Sequence, residues 1–245
     1  MNARRPREAQ SRAQLEGLAC WQFLPQGAAV HAGSRTAVIA DVHLGYEWAR
    51  GAAGDCVPAH SLDETVERLE SVLARGDIER LVVAGDLVES PRPCHRTAND
   101  VFRLTRWLAD RGVHLVLTLG NHDRGLAEAF ARGAGIACVE APVLTLSLCI
   151  DGWTIAHGHR SVRAGRLVLG HHHPVLRLKG HTAPCFLVSP ERIFLPAFSR
   201  NAAGLDVTRS RLPDTGNVDG LRCLACAGDE LFDFGPLASL IATLG

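Results

Sequence analysis

Short runs of branched and aliphatic residues alternate, in the first half of the chain, with segments whose apolar residues recur every three or four positions. The first pattern predicts buried strands and the second predicts amphipathic helices. This order of elements favours parallel strands joined by right-handed crossovers. The predicted elements are a strand at 36–40, a helix at 61–75, a strand at 81–84, a helix at 97–111 and a strand at 113–119.

The first predicted helix carries signals at both ends. Ser61 is placed to cap its first turn, Glu64 would complete a capping box, and Gly76 follows its last periodic residue. Both helices present one apolar face, which predicts that they cover a sheet. The predicted core-facing positions are Leu62, Val66, Leu69, Leu73, Val101, Leu104 and Leu108.

After a short helix predicted at 126–132, apolar runs follow one another with little helical pattern between them. Asp151-Gly152 predicts a tight hairpin turn between two of these runs. A parallel α/β half followed by a strand-rich half predicts an α/β protein in which two mixed sheets pack on one another with helices outside. The predicted strands are 143–150, 153–156, 167–169, 186–188 and 193–195.

Composition indicates a globular protein, because 47% of the residues are hydrophobic and 21% are charged. The 26 cationic and 26 acidic side chains give a formal net charge of zero, so nothing attracts the whole molecule to nucleic acid or to a membrane. No apolar run reaches the roughly 18 residues of a membrane span. The polar residues 1–14 are expected to form a disordered tail, and residues 15–245 a single domain.

Eight cysteines are spread along a chain that is too long to depend on disulfide bonds, which favours a reduced, cytoplasmic protein. Cys223 and Cys226 form a lone C-x-x-C, for which a zinc or redox site and incidental cysteines are the alternatives.

Five polar clusters each follow a predicted strand. Because the carboxyl ends of parallel strands meet at one sheet edge, clusters that are remote in sequence are expected to converge there. Aspartate, asparagine and neutral histidine, with no thiolate among them, suit Mn²⁺, Fe or Zn²⁺. Glycines next to four of these polar residues permit tight turns and close approach of the backbone. The clusters are Asp41-Val42-His43, Gly85-Asp86-Leu87-Val88-Glu89, Gly120-Asn121-His122-Asp123, His157-Gly158-His159 and Gly170-His171-His172-His173-Pro174.

In the order and spacing of these clusters, the stretch from Ala37 to Pro174 resembles the calcineurin-like metallophosphoesterase superfamily. The resemblance implies a four-layer α/β/β/α sandwich that holds two divalent ions. Mn²⁺ is the expected metal, and Fe, Zn²⁺ and Mg²⁺ are the alternatives. It also implies that Asp86 bridges the two ions. One ion would be bound by Asp41, His43, Asp86 and His173, and the other by Asp86, Asn121, His157 and His171.

The same resemblance makes His122 a catalytic histidine that binds no metal, and Asp123 the carboxylate that orients it. Two ions roughly 3.5–4 Å apart can share a hydroxide that attacks a phosphate ester in line. A protonated His122 could then stabilise the developing charge or protonate the leaving oxygen.

Other polar residues have two readings each. Glu89 is either a partner of a ligand histidine or a carboxylate at a helix start. The remaining candidates are expected to line the site or contact substrate phosphate, although a surface ion pair is equally compatible with either arginine. They are Arg124, His159, Arg160 and His172.

Two further segments, 39–45 with 54–58 and 193–199 with 204–207, are similar to the small phosphoesterases related to the nuclease subunit SbcD, and most similar to the ligase-associated DNA-damage-response (PdeM-type) endonucleases. This implies a nuclease that acts on DNA beside a helicase and a ligase. Zero net charge and few aromatic residues weaken the case for nucleic acid. Two alternatives are open, although no predicted ligand is missing, as it usually is in a non-catalytic relative. These are an esterase for a small nucleotide or other small phosphate ester, and a non-catalytic scaffold of the same fold.

Overall fold

The computed structural model describes residues 17–126, 142–210 and 220–244. The tail predicted for residues 1–14 and nearly all of the helix predicted at 126–132 lie outside these ranges, and the single-domain boundary at residue 15 stays a prediction. The helices are α1 (Tyr46–Ala52), α2 (Ser61–Leu73), α3 (His95–Ala109) and α4 (Leu237–Leu244), with a 3₁₀ turn at Ala32–Ser34.

The strands of the described residues belong to two sheets. Their bounds are β1 (Trp21–Phe23), β2 (Ala29–His31), β3 (Thr36–Ile39), β4 (Arg80–Val83), β5 (His114–Thr118), β6 (Val143–Thr145), β7 (Leu148–Ile150), β8 (Trp153–Ala156), β9 (Arg166–Leu169), β10 (Pro174–Leu178), β11 (His181–Ser189), β12 (Arg192–Phe194), β13 (Leu205–Asp206), β14 (Arg222–Ala227) and β15 (Glu230–Pro236).

Both sheets mix parallel and antiparallel pairs. The first sheet has the order β1-β2-β3-β4-β5-β6, and its strands β3 to β6 are parallel. The second has the order β13-β10-β11-β12-β9-β8-β7, with β14 paired to β11 and β15 to β14. In it, β8, β9 and β12 run parallel. The predicted pair of mixed sheets is therefore confirmed.

Successive side chains of the central strands point to opposite faces of their sheet and so pack into different layers of the sandwich. On β3, Val38 packs between the two sheets, while its neighbours Ala37 and Ile39 pack under α2 and α3. On the far side of the second sheet, Leu237 of α4 joins a third apolar cluster. The result is the expected α/β/β/α sandwich, since each sheet buries one face against the other and one against helices. No helix of the described ranges is long and apolar enough to cross a membrane.

The run 143–150 does not form one strand. β6 pairs with β5 in the first sheet and β7 pairs with β8 in the second, so the chain changes sheet at residues 146–147. Leu146, 72% exposed, lies at this crossing. An apolar residue at a crossing makes two strands look continuous in the sequence. The turn at Asp151-Gly152 is confirmed, with φ of 46° and 77°.

The two cysteines of the C-x-x-C lie on β14 and are buried. Residues three apart on a strand face opposite ways, and Cys223 accordingly packs under α4 while Cys226 packs between the sheets. Two thiols on opposite faces do not form a shared zinc or redox site, which leaves the alternative of incidental core cysteines.

The predicted capping box at Ser61 is wrong. No side chain caps the first turn of α2, whose N-cap position is His60. The Ser61 hydroxyl instead accepts a buried hydrogen bond from the backbone N–H of Gly45, at 3.0 Å. Ser61 therefore ties α2 to the loop that follows β3. Helix α2 also ends at Leu73, before the predicted stop at Gly76.

We expect Ser61→Ala to lower the free energy of unfolding by about 1–3 kcal/mol, because it leaves the buried N–H of Gly45 without an acceptor. Glu64→Ala should change it by less than about 0.5 kcal/mol, since Glu64 takes part in no cap. Urea unfolding of both variants measures this. Comparable losses in the two variants would restore the capping box.

Candidate metal centre

The ends of five parallel strands bring the predicted ligands to one edge of the sandwich. Asp41, Asp86 and Asn121 follow β3, β4 and β5 in the first sheet, and His157 and His171 follow β8 and β9 in the second. Backbone hydrogen bonds join the first two loops, from the N–H of Asp41 to the carbonyl of Gly85 and from the N–H of His43 to the carbonyl of Asp86, both at 3.0 Å.

The backbone at this edge is strained. Among the described residues, eight that are not glycine have a positive φ, and five of them are predicted ligands. Such conformations cost of order 1–3 kcal/mol each for residues with a Cβ, and they persist where the surrounding structure imposes them, commonly at functional sites. The five are Asp41, His43, Asp86, His171 and His173.

A first group of donors comes from the loop after β3 and from the residue before β10. Ligand atoms of Asp41, His43 and His173 all lie within 4.8 Å of one another. The Nε2 of His173 is 3.2 Å from Oδ1 of Asp41. Burial alone would lower the pKa of His173, but the Asp41 carboxylate raises it above the ordinary value. These are three of the four predicted ligands of the first ion.

A second group is formed by Asp86, His157 and His171, again within 4.8 Å of one another. The Nε2 of His157 lies 3.3 Å from Oδ2 of Asp86 and 3.1 Å from Oδ1 of Asn121. Burial would raise the pKa of Asp86, but contacts with His157 and His122 outweigh it and hold the pKa at about 2. All four predicted ligands of the second ion therefore meet.

Asp41 connects the two groups. Its Oδ1 is 3.6 Å from Nδ1 of His157, and its Oδ2 accepts the backbone N–H of His171 at 2.9 Å. By distance, Asp86 belongs to the second group, and its predicted role as a bridge between two ions stays a prediction. The two groups are adjacent and could form one dinuclear site.

Three of the ligand histidines have Nδ1 facing an oxygen. His157 donates to the carbonyl of Ala84 and His173 to that of Ala203, both at 3.0 Å. Nδ1 of His43 is 3.0 Å from Oε2 of Glu89, although the alignment falls short of a hydrogen bond. This arrangement fixes the tautomer that leaves Nε2 as an acceptor for a cation. Of the two readings of Glu89, the structure supports the partner of a ligand histidine.

The residues present fit a pair of divalent cations. Oδ1 of Asp41 and Nε2 of His43 are buried and accept or donate no hydrogen bond among the described residues. Buried polar atoms are normally satisfied, so these two unsatisfied ligand atoms indicate a cation site at the first group. The carboxylate, amide and imidazole donors suit Mn²⁺, Fe or Zn²⁺.

His122 lies beside both groups, because a ring nitrogen of His122 is within 4.8 Å of ligand atoms of His43 and Glu89. Its partner differs from the expected one. Its Nδ1 contacts the backbone carbonyl of Glu89. Its Nε2 is 4.0 Å from Oδ2 of Asp86, and its side chain is 33% exposed. Glu89 thus touches two histidines, His43 through its carboxylate and His122 through its carbonyl, and positions both.

The contacts of Asp123 differ from those expected, and its predicted role in orienting His122 stays a prediction. Its carboxylate is fully buried and accepts backbone N–H groups of Asp86, Val88 and Gly120, at 2.8, 3.3 and 2.8 Å. Burial raises the pKa of Asp123 to about 6, against these hydrogen bonds, which lower it. Asp123 joins the loops after β4 and β5 and makes no described hydrogen bond to His122.

The four residues predicted to meet substrate lie in different surroundings. Arg124 and Arg160 are exposed at the rim, beside the loops that carry Asn121 and His157. The His159 ring is half-buried and lies 5.1 Å from the His157 ring. His172 is buried, 5.8 Å from the ring of Phe194, and its predicted contact with substrate stays a prediction.

Comparison with known proteins agrees with this geometry. Residues 34–199 match the sequence profile of the family described as "Calcineurin-like phosphoesterase". The chain belongs to this family. It is accordingly a metal-dependent phosphoester hydrolase, as the resemblance implied, and the family binds divalent metals.

Two relatives of this phosphoesterase carry names that concern nucleic acid. Over 89 residues it is 34% identical to the DNA double-strand break repair protein Mre11 of Methanopyrus kandleri, a match that covers 36% of this chain and 19% of that protein. The crystal structure of Pseudomonas putida nuclease MPE aligns with a TM-score of 0.65 at 21% identity, over 87% of this chain and 94% of the other. That second likeness shows the fold.

Gly120 is a glycine whose replacement the centre cannot accommodate without movement. A Cβ there would lie 2.1 Å from Oδ1 of Asp86 and 2.4 Å from its backbone nitrogen. We expect Gly120→Ala to displace Asp86 and to weaken Mn²⁺ binding by at least tenfold, the scale of effect that misplaced ligand supports have. Gly76→Ala, whose Cβ would meet nothing within 4 Å, is the matched control. If calorimetric titration gives the same Mn²⁺ affinity for both variants, this prediction is wrong.

Asp123→Asn separates a structural role from a catalytic one. The amide oxygen of asparagine can still accept the N–H groups of Asp86 and Gly120, which share Oδ2, but the NH₂ cannot accept the N–H of Val88. The variant should therefore lose about 1–3 kcal/mol of unfolding free energy. Denaturant unfolding measures this loss. A variant of unchanged stability whose kcat falls with a shifted pH profile would support the original assignment, in which Asp123 acts on His122.

Proposed function

We propose that this phosphoesterase is a nuclease that hydrolyses phosphodiester bonds of DNA with Mn²⁺ as its metal. The observation that carries the proposal is the meeting of both donor groups and His122 at an open edge of the sandwich. His122 is one-third exposed there, and the exposed Arg124 and Arg160 follow the site residues His122 and His157 within three positions of the chain. An open edge accepts a strand that extends past the site in both directions, and cationic side chains at the rim suit its phosphates.

The names of the two relatives support this choice of substrate. The resemblance to ligase-associated endonucleases extends the proposal to DNA repair beside a helicase and a ligase, in the cytoplasm. When bound, two divalent ions would supply Lewis acidity to the phosphoryl oxygens and a water whose pKa is lowered to ~7.

The chain's own residues would perform the remaining tasks. Asp41, His43 and His173 would hold one ion, and Asp86, Asn121, His157 and His171 the other. Because Nδ1 of His122 faces the Glu89 carbonyl, its Nε2 is directed to the side of Asp86. In the imidazolium form, that Nε2–H can donate to a phosphoryl oxygen or protonate the leaving oxygen. Glu89 would keep both His43 and His122 in the required tautomers.

A small nucleotide is the second candidate substrate. The formal net charge of zero favours it, because a molecule without net positive charge gains little from the charge of a long strand. Such an ester would need contacts at the rim only, where Arg124 and Arg160 lie.

The test measures Mn²⁺-dependent cleavage of a defined oligonucleotide against hydrolysis of cyclic mononucleotides and dinucleotides. We expect the oligonucleotide to be cleaved, and His122→Asn to lower kcat by about 10²–10⁴-fold while Mn²⁺ binding is kept. His181→Asn is the matched control, because His181 is an exposed residue of β11. If only the small nucleotides react, the nuclease proposal is wrong.

A further inference from the structure

A groove of about 380 Å³ lies outside the metal centre, and its walls include two arginines, Arg68 of α2 and Arg200 of the segment after β12. Its size is within the ~300–1,000 Å³ of typical ligand sites. The loop between β1 and β2 and the turn between β14 and β15 complete it. Neither arginine has an assigned role.

Arg68 is a largely buried cation without a carboxylate partner. Its guanidinium donates to the backbone carbonyls of Phe198 and Gln26 and stacks over the Phe198 ring, 4.3 Å from the centroid. No described carboxylate forms an ion pair with Arg68 or Arg200. Burial first, and then the charge of Arg200, lower the pKa of Arg68 to about 10, so it stays charged at neutral pH.

The groups around Arg68 compensate its charge only in part. Of the groups that act on Arg68, the carboxylate of Glu64 has a smaller effect than the opposing charge of Arg200. Cys226, on the groove wall, is a neutral thiol, because burial raises its pKa to about 12. Two neighbouring guanidiniums, one of them largely desolvated, strongly favour an anion between them.

The chain segment 198–200 connects the groove to the loop that carries Asp41. The N–H groups of Phe198 and Ser199 donate to the carbonyls of Ala40 and Asp41, at 2.8 and 3.0 Å. A smaller hollow that shares Arg68 and Arg200 with the groove reaches Val42, between two metal ligands. An anion in the groove would therefore lie along the same strip of chain as Asp41.

We propose that Arg68 and Arg200 bind a backbone phosphate of the substrate strand other than the phosphate that is cleaved. The inference rests on the proposed nuclease function and adds a second anchoring point to it. Arginine suits this role because its planar donor pairs match two phosphate oxygens. The exposed carboxylates of Glu67 and Asp229 at the groove mouth oppose it, so removing one of them should tighten binding.

Arg200→Gln is the decisive variant, since Arg200 is exposed and its replacement leaves the core unchanged. We expect the KM for a single-stranded oligonucleotide to rise about tenfold and the slope of log KM against log salt to fall by about 0.7, the value of one lost phosphate contact. Asp229→Asn should lower the KM. Hydrolysis of bis(4-nitrophenyl) phosphate, which reaches only the metal centre, should be unchanged in both variants.

Arg75→Gln is the control for loss of one positive charge, because Arg75 is exposed just beyond the end of α2 and away from the groove. If Arg200→Gln and Arg75→Gln give the same KM and salt slope while both cleave the oligonucleotide, the groove has no phosphate site. If the wild-type protein hydrolyses the small diester but neither binds nor cleaves the oligonucleotide, the nuclease proposal fails, and this inference fails with it.

Discussion

Two buried carboxylates on either side of one imidazole determine the rest of this structure. Asp41 and Asp86 are 0% and 2% exposed, and His157 lies 3.6 Å from one and 3.3 Å from the other. Buried charges of like sign are costly unless cations compensate them. In the protein alone, this field raises the pKa of His157 and His173 against the effect of burial. Divalent cations would satisfy the same field more completely.

Holding these side chains together requires backbone conformations with positive φ, and contacts elsewhere in the fold stabilise those conformations. The ligand positions with positive φ are stabilised by hydrogen bonds between neighbouring loops, and Asp123 joins two of those loops through three backbone N–H groups. Glycines then allow the close approach. A Cβ at Gly85 would lie 2.2 Å from the His157 ring. The stability of the sandwich thus offsets the strain of its active edge.

Much of this arrangement could be predicted from the sequence. Residue type and position after a strand are local properties, so a convergence of Asp41, Asp86 and the histidines could be expected from parallel topology, while the ligand sets came from the family resemblance. The structure adds that His157 and His171 come from the second sheet. Which atom meets which partner is not local. It depends on the course of the loops and on side-chain rotamers. Examples are the Glu89 carbonyl that contacts His122 in place of Asp123, the burial of His172, and the Ala203 carbonyl that accepts from His173. Backbone carbonyls, in particular, leave no trace in a sequence.

The same distinction between local and non-local properties explains where the fold predicted from the sequence was wrong. Strands of two or three residues, such as β1, β2 and β13, are too short to show an alternating hydrophobic pattern. Because Leu146 is apolar, the crossing between the two sheets was predicted as one continuous strand. Ser61 illustrates a residue with the right type for a cap whose hydroxyl was taken by a buried N–H from another loop. Tertiary contacts override a local signal of this kind.

The central claim is that two cations bind at this edge, and anomalous diffraction from crystals soaked in Mn²⁺ tests it most directly. The account predicts two peaks roughly 3.5–4 Å apart, one in contact with Asp41, His43 and His173 and the other with Asp86, His157 and His171. A single peak, or peaks away from these side chains, would contradict it.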